Sequence, residues 1–546
     1  MRRLALMTTL LFCALVWLCA PFAIGQTTPQ ATTPIYVCDC QPGADGDCVA
    51  GSDANDGLAP ATAWQTVEQA RSYFNNNISA GDEIRFCRGG LFDLGSGGSR
   101  WRSSQCSAEQ PCVVADYAPP WASGDEARPI LLRPIGDFVF DLANPGNAIA
   151  DHGYVFRNLD LRCTGCTDGG WGFFFFNDVN DVTIENVDLD GFAIGIHLAG
   201  ANPCQSGDPL CNGQNDRVTI RNVRITNSHH QGILGGANQL RIEDSHFENN
   251  GNGTVFDHNI YISSGSDIVI RGNELTRSSL DEDGNCGGTS LVGHGQLRDL
   301  LIEGNWVHED VGKANQGCWG ISITTGYSTP ESFTNVTVRN NRVENVGNVA
   351  IGLSACISCT VENNVIVHAQ PYGATAVAVP DIAGGPGDAV SQDMRIRNNS
   401  IAVNGGSTAI RLAAGSGHTV VSNAIRATTM NSAFNCFDLP LGTSAYTVVD
   451  YNLCHFIAGE WAHSIGDLAS WQAQGWESHG RAVDPGFVTD TDLQIAAPTS
   501  AVVDAGHPTL SSSTDRLGRV RDAQPDAGAY EWIDNVKYLW LPIVLE

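Results

Sequence analysis

One short pattern recurs nine times along the chain and constrains its fold more than any other feature. An apolar anchor is followed directly by a charged residue, and the charges alternate strictly in sign: Arg157, Glu185, Arg221, Glu243, Arg271, Glu303, Arg339, Glu362 and Arg397. The anchors are Phe156, Ile184, Ile220, Ile242, Ile270, Ile302, Val338, Val361 and Ile396. Opposite charges that face each other across paired strands are favourable, whereas like charges are not. The alternation therefore predicts parallel coils stacked in register, about 4.8 Å apart.

Each repeat also carries an amide or carboxylate side chain two or three positions after the anchor. These residues are Asn158, Asn186, Asn222, Asp244, Asn273, Asn305, Asn341, Asn364 and Asn399. Asn tolerates the left-handed backbone of a sharp turn, and stacked Asn side chains can form hydrogen bonds along that turn. Further anchors at Val420 and Val449 bring the total to about eleven coils, so the sequence predicts an all-β solenoid.

The charge balance limits the possible partners. The formal net charge is −29, which makes nucleic acid an unsuitable partner. A polyanionic substrate would also be repelled unless a local basic site or a bound cation intervened. The apolar content of 42% is enough for a large core.

The first 25 residues have the composition of a secretory signal. Arg2 and Arg3 precede an apolar run over 4–20, and small residues follow at 23–25. Signal removal would leave a chain without an integral membrane segment, because no other run has 18 uninterrupted apolar residues. We therefore expect a protein that is secreted or held at the cell surface.

Sixteen cysteines remain after the signal, and an even number in an exported chain favours disulfides. Cys286 and Cys318 each lie 16 residues after an anchor, at Ile270 and Ile302, so they should sit on adjacent coils within disulfide reach. The local candidate pairs are Cys106–Cys112, Cys163–Cys166, Cys204–Cys211 and Cys356–Cys359. The Cys-x-x-Cys spacing also occurs in zinc and redox motifs, but no second pair or His cluster accompanies it.

The flanking sequences divide the chain into five parts. We expect a signal over 1–25, an N-terminal cap with the first strands over 26–135, the solenoid over 136–455, a C-terminal extension over 456–533 and an apolar tail over 534–546. Within the cap, residues 64–70 are predicted to form a short helix and 81–86 a strand. A second helix is predicted within 464–475 of the extension.

The repeats and the segments that flank them resemble those of the bacterial secreted right-handed parallel β-helix proteins of the pectate- and alginate-lyase type. The resemblance rests on the GSDANDG…AWQTVEQA opening, the AGDEIRFCRGG strand, the Ile-x-x-Asn repeats and the DPGF…VVDAG…DAGAYE ending. It implies a right-handed parallel β-helix and a polysaccharide partner. It leaves lyase, glycoside hydrolase, uronate epimerase and non-catalytic binding open, because fold does not fix function.

Three consecutive coils carry long loops at the same position, residues 248–258, 276–289 and 307–319. In lyases that this chain resembles, the cleft lies under these loops. Our candidates for acid/base catalysis of uronate β-elimination are Lys313, His258, Tyr261 and Asp257. Candidates for substrate binding, expected to face outward beside the loops, are Asn259, Trp319, His197, Ser290 and Ser322. The carboxylates that could hold Ca²⁺ are Asp281, Asp283, Glu309 and Asp310.

Two competing hypotheses remain open on sequence grounds. Gly293-His294-Gly295 resembles one motif of polygalacturonase-like hydrolases, but their companion carboxylate motifs are absent. The high negative charge and the lack of a complete catalytic motif favour a non-catalytic carbohydrate-binding protein. In every case we expect a monomer.

Overall fold

The computed structural model describes residues 32–142, 151–176, 178–200, 212–381 and 385–533. Its strands pair in parallel from coil to coil and form a β-helix in which three ladders run along the axis. Side chains of Ile, Leu, Val and Phe from all three ladders fill one continuous core between them. The predicted parallel β-helix is confirmed.

The charge-bearing ladder contains the anchors and their charged neighbours. It comprises Pro34–Val37, Glu83–Cys87, Cys112–Tyr117, Asp151–Cys163, Val179–Asp190, Asn215–Arg221, Arg241–Glu243, Ile260–Arg271, Leu291–Glu303, Thr337–Arg339, Thr360–Glu362, Arg395–Arg397, His418–Val421 and Tyr446–Asp450. Its register extends the predicted anchors upstream through Val114, Ile84 and Ile35. The parallel pairing therefore begins well before residue 136, within the region assigned from the sequence to the cap and first strands.

The second ladder follows the turn after each charge. Besides the later parts of Asp151–Cys163 and Val179–Asp190, it comprises Leu91–Asp93, Ile130–Arg133, Arg224–Thr226, His246–Glu248, Glu274–Thr276, Trp306–His308, Arg342–Glu344, Val365–His368, Ser400–Val403, Ala424–Ala427 and Leu453–His455.

The third ladder follows the variable loops. Besides the first residues of Ile260–Arg271 and Leu291–Glu303, it comprises Phe140–Asp141, Trp171–Phe176, Ile194–Ala199, Ile233–Gly235, Ile321–Ile323, Val349–Leu353, Thr375–Val379, Thr408–Leu412, Asn435–Asp438 and Glu460–Ala462. Short strands at Ala237–Asn238, Ser332–Thr334 and Cys356–Ile357 precede the charge-bearing ladder in some coils.

The charge alternation has the predicted register throughout. Each charged residue of the pattern pairs with the opposite charge of the next coil, from Arg157 opposite Glu185 to Glu362 opposite Arg397. Glu303, for example, accepts from Arg271 at 3.0 Å and from Arg339 at 2.7 Å. Most of these pairs are partly exposed, so each of those contributes only about 0–1 kcal/mol, whereas Glu362 is buried.

The Asn residues of the repeat fall into two structural classes. Asn158, Asn186, Asn222 and Asp244 adopt left-handed backbone angles at the turn, as expected. From the coil of Asn273 onward the left-handed position lies one residue earlier, for example at Gly272. The following Asn then points inward. These buried side chains form a hydrogen-bonded asparagine ladder: Asn273, Asn305, Asn341, Asn364, Asn399, Asn423 and Asn452.

Two helices and a C-terminal extension cover parts of the solenoid. Helix α1 spans Val67–Asn76 and begins at Thr66, whose hydroxyl accepts from the N–H of Gln69. Helix α2 spans Leu468–Gln472, and single 3₁₀ turns occur at Pro60–Thr62 and Thr443–Ala445. Both predicted helices are confirmed with shifted ends. Residues of the extension pack on the later strands of the second ladder in a separate apolar cluster.

The disulfides match four of the predicted pairs. Cys286–Cys318, Cys106–Cys112, Cys163–Cys166 and Cys356–Cys359 are bonded. Three further bonds were not predicted from the sequence: Cys38–Cys87, Cys40–Cys48 and Cys436–Cys454. The bonded Cys-x-x-Cys pairs have no thiolate left for zinc.

Three predictions lie outside the described residues: the signal at 1–25, the Cys204–Cys211 bond and the apolar tail at 534–546. Within the described ranges, no helix combines the length and apolar character needed to cross a membrane.

Candidate functional site

A groove of about 880 Å³ lies on the outer face of the third ladder, under the predicted long loops. Its floor is a row of outward-facing residues, one from each coil: His197, Leu234, Tyr261, Val292 and Ser322. Because successive coils stack along the axis, this row runs parallel to the axis. The groove is therefore suited to an elongated ligand.

His294 occupies the centre of a cluster within the groove. Its ring lies against Tyr261 in a tilted arrangement with 5.4 Å between centroids, and it stacks on Tyr327 with 4.8 Å between centroids. Its Nδ1 lies 3.1 Å from Oε1 of Glu331. Since a carboxylate accepts, Nδ1 carries the proton and Nε2 is the basic nitrogen of the neutral ring. We call Tyr261, His294, Tyr327 and Glu331 the His294 cluster.

Glu331 is completely buried behind His294. Its carboxylate accepts hydrogen bonds from the backbone N–H groups of Gly295, Gly326 and Tyr327. Burial alone would raise the pKa of Glu331, but these three donors and nearby His294 together lower it. The carboxylate therefore stays ionised and fixes the orientation of the imidazole.

The hydroxyl groups of Tyr261 and Tyr327 are hydrogen-bonded to each other. Burial, followed by the contact with Tyr327, raises the pKa of Tyr261 well above its usual value. Burial also raises the pKa of Tyr327. Both phenols are therefore protonated at neutral pH and can donate a hydrogen bond or a proton to a ligand oxygen.

His258 lies next to this cluster, with its ring 5.4 Å from that of Tyr261. Its Nδ1 donates to the carbonyl oxygen of Thr289 at 2.9 Å. Burial lowers the pKa of His258 to about 4, so the ring is neutral at physiological pH. It can accept a proton only through Nε2.

The other predicted residues fall into two groups. Trp319, His197 and Ser322 line the groove as expected. Asn259 and Ser290 were predicted to face outward, and this is wrong: both are buried inside the coil, where Nδ2 of Asn259 donates to Oγ of Ser290 at 3.0 Å. They precede their strands, so the alternation of strand side chains does not extend to them.

Asp257 supports a loop. It is buried and accepts from Oγ1 of Thr254 at 2.9 Å, and its Oδ1 lies 3.3 Å from Nδ1 of His230. Asp257 is not among the residues that line the groove.

Lys313 does not reach the groove. It is exposed on the loop at 307–319, where Nζ donates to the carbonyl oxygen of Asp283 at 3.4 Å. Lys313 is not among the residues that line the groove.

The four carboxylates suggested for Ca²⁺ do not converge. Asp281 accepts from the backbone N–H groups of Asp283 and Asn285 within its own loop. Glu309 is buried, and burial raises its pKa to about 8, which favours the neutral acid. Among the described residues, no three of the four carboxylates bring their oxygens within 4.8 Å of one another. The residues present do not fit a calcium site of the predicted composition.

Tyr327 and Glu331 were not predicted from the sequence, and His294 was assigned only a minor role. His294 is the next outward-facing position after Val292, which pairs with Tyr261. Strand register could thus have placed His294 beside Tyr261. Glu331 and Tyr327 lie between the strands Ile321–Ile323 and Ser332–Thr334, in a loop that no periodic signal describes.

Comparison with known proteins supports the handedness of the coil. Residues 162–379 match the family model described as a right handed beta helix region. No curated protein sequence matches the chain significantly.

Several solved structures are similar to this chain at low sequence identity. The A-module of the Azotobacter vinelandii mannuronan C-5 epimerase AlgE6 is 14% identical, with a TM-score of 0.44, over 81% of this chain and 96% of that one. XylC in complex with xylose is 10% identical, with a TM-score of 0.48, over 92% and 98%. The PL6 family alginate lyase AlyGC is 14% identical, with a TM-score of 0.46, over 86% and 59%.

Proposed function

We propose that this protein binds a polysaccharide along the groove and cleaves a uronate-containing chain by β-elimination. The observation that carries the proposal is the position of His294, held by buried Glu331 and flanked by the rings of Tyr261 and Tyr327. β-Elimination needs a base for the proton next to the carboxylate and an acid for the leaving oxygen. The cluster supplies both kinds of group.

The roles follow from the hydrogen bonds. Nε2 of His294 is the base, because Nδ1 is committed to Glu331. Glu331 is a positioning residue that fixes the tautomer and stabilises the imidazolium when it forms. The linked hydroxyls of Tyr261 and Tyr327 donate the proton to the leaving oxygen.

A glycoside hydrolase is less well supported. Most glycoside hydrolases use two carboxyl groups, one on either side of the scissile glycosidic bond. No Asp or Glu lines the groove in the part of the chain that the structure describes. Asp281 and Asp283 lie on a loop outside its lining, so they do not supply that pair.

A second candidate is non-catalytic carbohydrate binding. The described lining contains no Lys or Arg that would neutralise a uronate carboxylate, and the chain carries a net charge of −29. An acidic polymer would therefore be repelled by the protein, whereas a neutral glycan would not. Trp319 offers an aromatic face for a sugar ring in either case.

An extracellular location fits both candidates. The described disulfides are expected in an oxidising compartment, in agreement with the predicted secretory signal. We retain a bacterial, secreted or surface-held monomer as our hypothesis.

The test is ultraviolet absorbance during incubation with pectate, alginate and glycosaminoglycans, with Ca²⁺ or with a chelator. The wild type should produce unsaturated uronate from one polymer, and His294→Ala should lower the rate by about 100-fold or more. Lys313→Ala is the matched control and should retain the rate. Glycan binding without product would favour the non-catalytic candidate, and new reducing ends without unsaturation would favour a hydrolase.

A further inference from the structure

Four aromatic side chains form a continuous strip on the outside of the third ladder, next to the N-terminal end of the groove. Phe138 stacks on Trp171 and on Phe174, each with 4.8 Å between centroids, and Phe174 lies 6.0 Å from Phe176 in a nearly parallel arrangement. We call Phe138, Trp171, Phe174 and Phe176 the aromatic strip.

The strip is not part of the core. In the strand Trp171–Phe176, Phe173 and Phe175 point inward and are fully buried, whereas Phe174 is partly exposed and Phe176 is 37% exposed. Core packing explains why Phe173 and Phe175 are aromatic, but it does not explain Phe174 and Phe176. Adjacent outward aromatic side chains on a solvent-facing strand bury little apolar area by themselves, and such a patch is typical of a binding surface.

The strip continues directly into the groove through His197. This residue lines the groove, and its ring lies 6.1 Å from Trp171 and 5.4 Å from Phe174. Phe174 and His197 also belong to the same outward row as Leu234 and Tyr261. Three coil steps separate Phe174 from Tyr261, a distance of about 14 Å along the axis.

We propose that the aromatic strip is a distal sugar-binding subsite for a polysaccharide chain that lies along the helix axis. The inference rests on the proposed function in that it takes the groove ligand to be a glycan. Uncharged aromatic faces bind the apolar faces of sugar rings, and the strip and the groove share one axial row. The ligand class is therefore an extended polymer that spans the strip and the His294 cluster together, and short fragments would occupy the groove alone.

The experiment compares the wild type with Phe174→Ala/Phe176→Ala in binding to size-fractionated oligosaccharides and to polymer. The probes are pectate, alginate, a glycosaminoglycan and the neutral polymer xylan. The double variant should bind polymer and long fragments about tenfold more weakly, with unchanged affinity for the shortest fragments that bind. Trp306→Ala is the matched control, because Trp306 is 42% exposed on the second ladder, and it should change neither affinity.

Equal affinity of the double variant and the wild type at every length would overturn the inference, as would a wild type that binds none of the probes. A change in sedimentation without a change in glycan binding would also overturn it, because the strip would then join two copies of the chain. Phe176→Ala alone, at the most exposed position, provides the test if the double variant unfolds. The lyase proposal is tested separately by ultraviolet absorbance. Length-dependent binding without an unsaturated product would support the subsite and reject β-elimination.

Discussion

Nδ2 of Asn452 donates a hydrogen bond to Oε1 of Glu477 at 2.7 Å, and this contact ends the asparagine ladder. The backbone N–H of Asn452 donates to the other carboxyl oxygen at 3.2 Å. Both residues are buried. Glu477 thus takes the place of the next Asn where the coil repeat stops, and it satisfies donors that would otherwise have no partner.

Replacement of Glu477 by Ala should destabilise the C-terminal coils. Two buried N–H donors of Asn452 would lose their acceptors, so we expect the free energy of unfolding to fall by about 2–4 kcal/mol. Burial raises the pKa of Glu477 to about 8. The folded state therefore holds the proton more strongly than the unfolded state, and the contribution of Glu477 declines as pH rises towards 8. Denaturant titrations at pH 5 and pH 8 should show this decline in the wild type, and it should be smaller in Glu477→Ala.

Glu303 and Asn305 lie in one turn but should contribute very differently to the free energy of unfolding. Glu303 lies in the exposed charge ladder, so Glu303→Ala should cost about 1 kcal/mol or less. Asn305 is fully buried and bonds to Asn341, Asn273 and the carbonyl oxygen of Ile270. Asn305→Ala should cost about 2–4 kcal/mol, because it leaves these groups unsatisfied. Denaturant titrations measure both losses. If Glu303→Ala and Asn305→Ala lowered the free energy of unfolding equally, the buried amides would not stabilise the fold more than the exposed charges do.

This contrast shows what could be predicted from the sequence. The charge pattern is periodic, so the alternation of Arg271, Glu303 and Arg339 specified the register of every coil between Phe156 and Ile396. The left-handed position moved by one residue at Gly272, and local sequence alone did not reveal that the Asn after it turns inward.

The candidate site was predicted less completely, for a physical reason. Tyr261 lies in the strand Ile260–Arg271, where periodicity places side chains, whereas His258 precedes that strand. The partner of His294 is Glu331, 37 residues away and beyond a loop whose conformation depends on tertiary contacts. Lys313 was selected because Lys is rare in this chain, and rarity contains no information about where a side chain points.

The disulfide Cys286–Cys318 should hold two loops beside the groove. It joins the loop at 276–289 to the one at 307–319, and the N–H of Cys286 also donates to the carbonyl oxygen of Lys313 at 2.8 Å. The sequence separation of 32 residues corresponds to a loss of about 2–4 kcal/mol when both cysteines become Ser. We expect faster limited proteolysis within 307–319. The control is Cys356→Ser/Cys359→Ser, whose bond closes a much shorter loop away from the groove.

The protonation of His258 provides the last prediction. Burial lowers its pKa to about 4 from the usual 6.5, because the charged ring would be desolvated beside Tyr261. Between these two values the unfolded chain binds the proton and the folded chain does not, so His258 makes the fold less stable as pH falls from about 6.5 towards 4. His258→Gln should reduce this part of the acid sensitivity. Nuclear magnetic resonance of labelled histidines should show no titration of the His258 ring between pH 6 and pH 8. A midpoint near 6.5, assigned through the variant, would show that the ring is solvated and that the groove is wider there than the structure indicates.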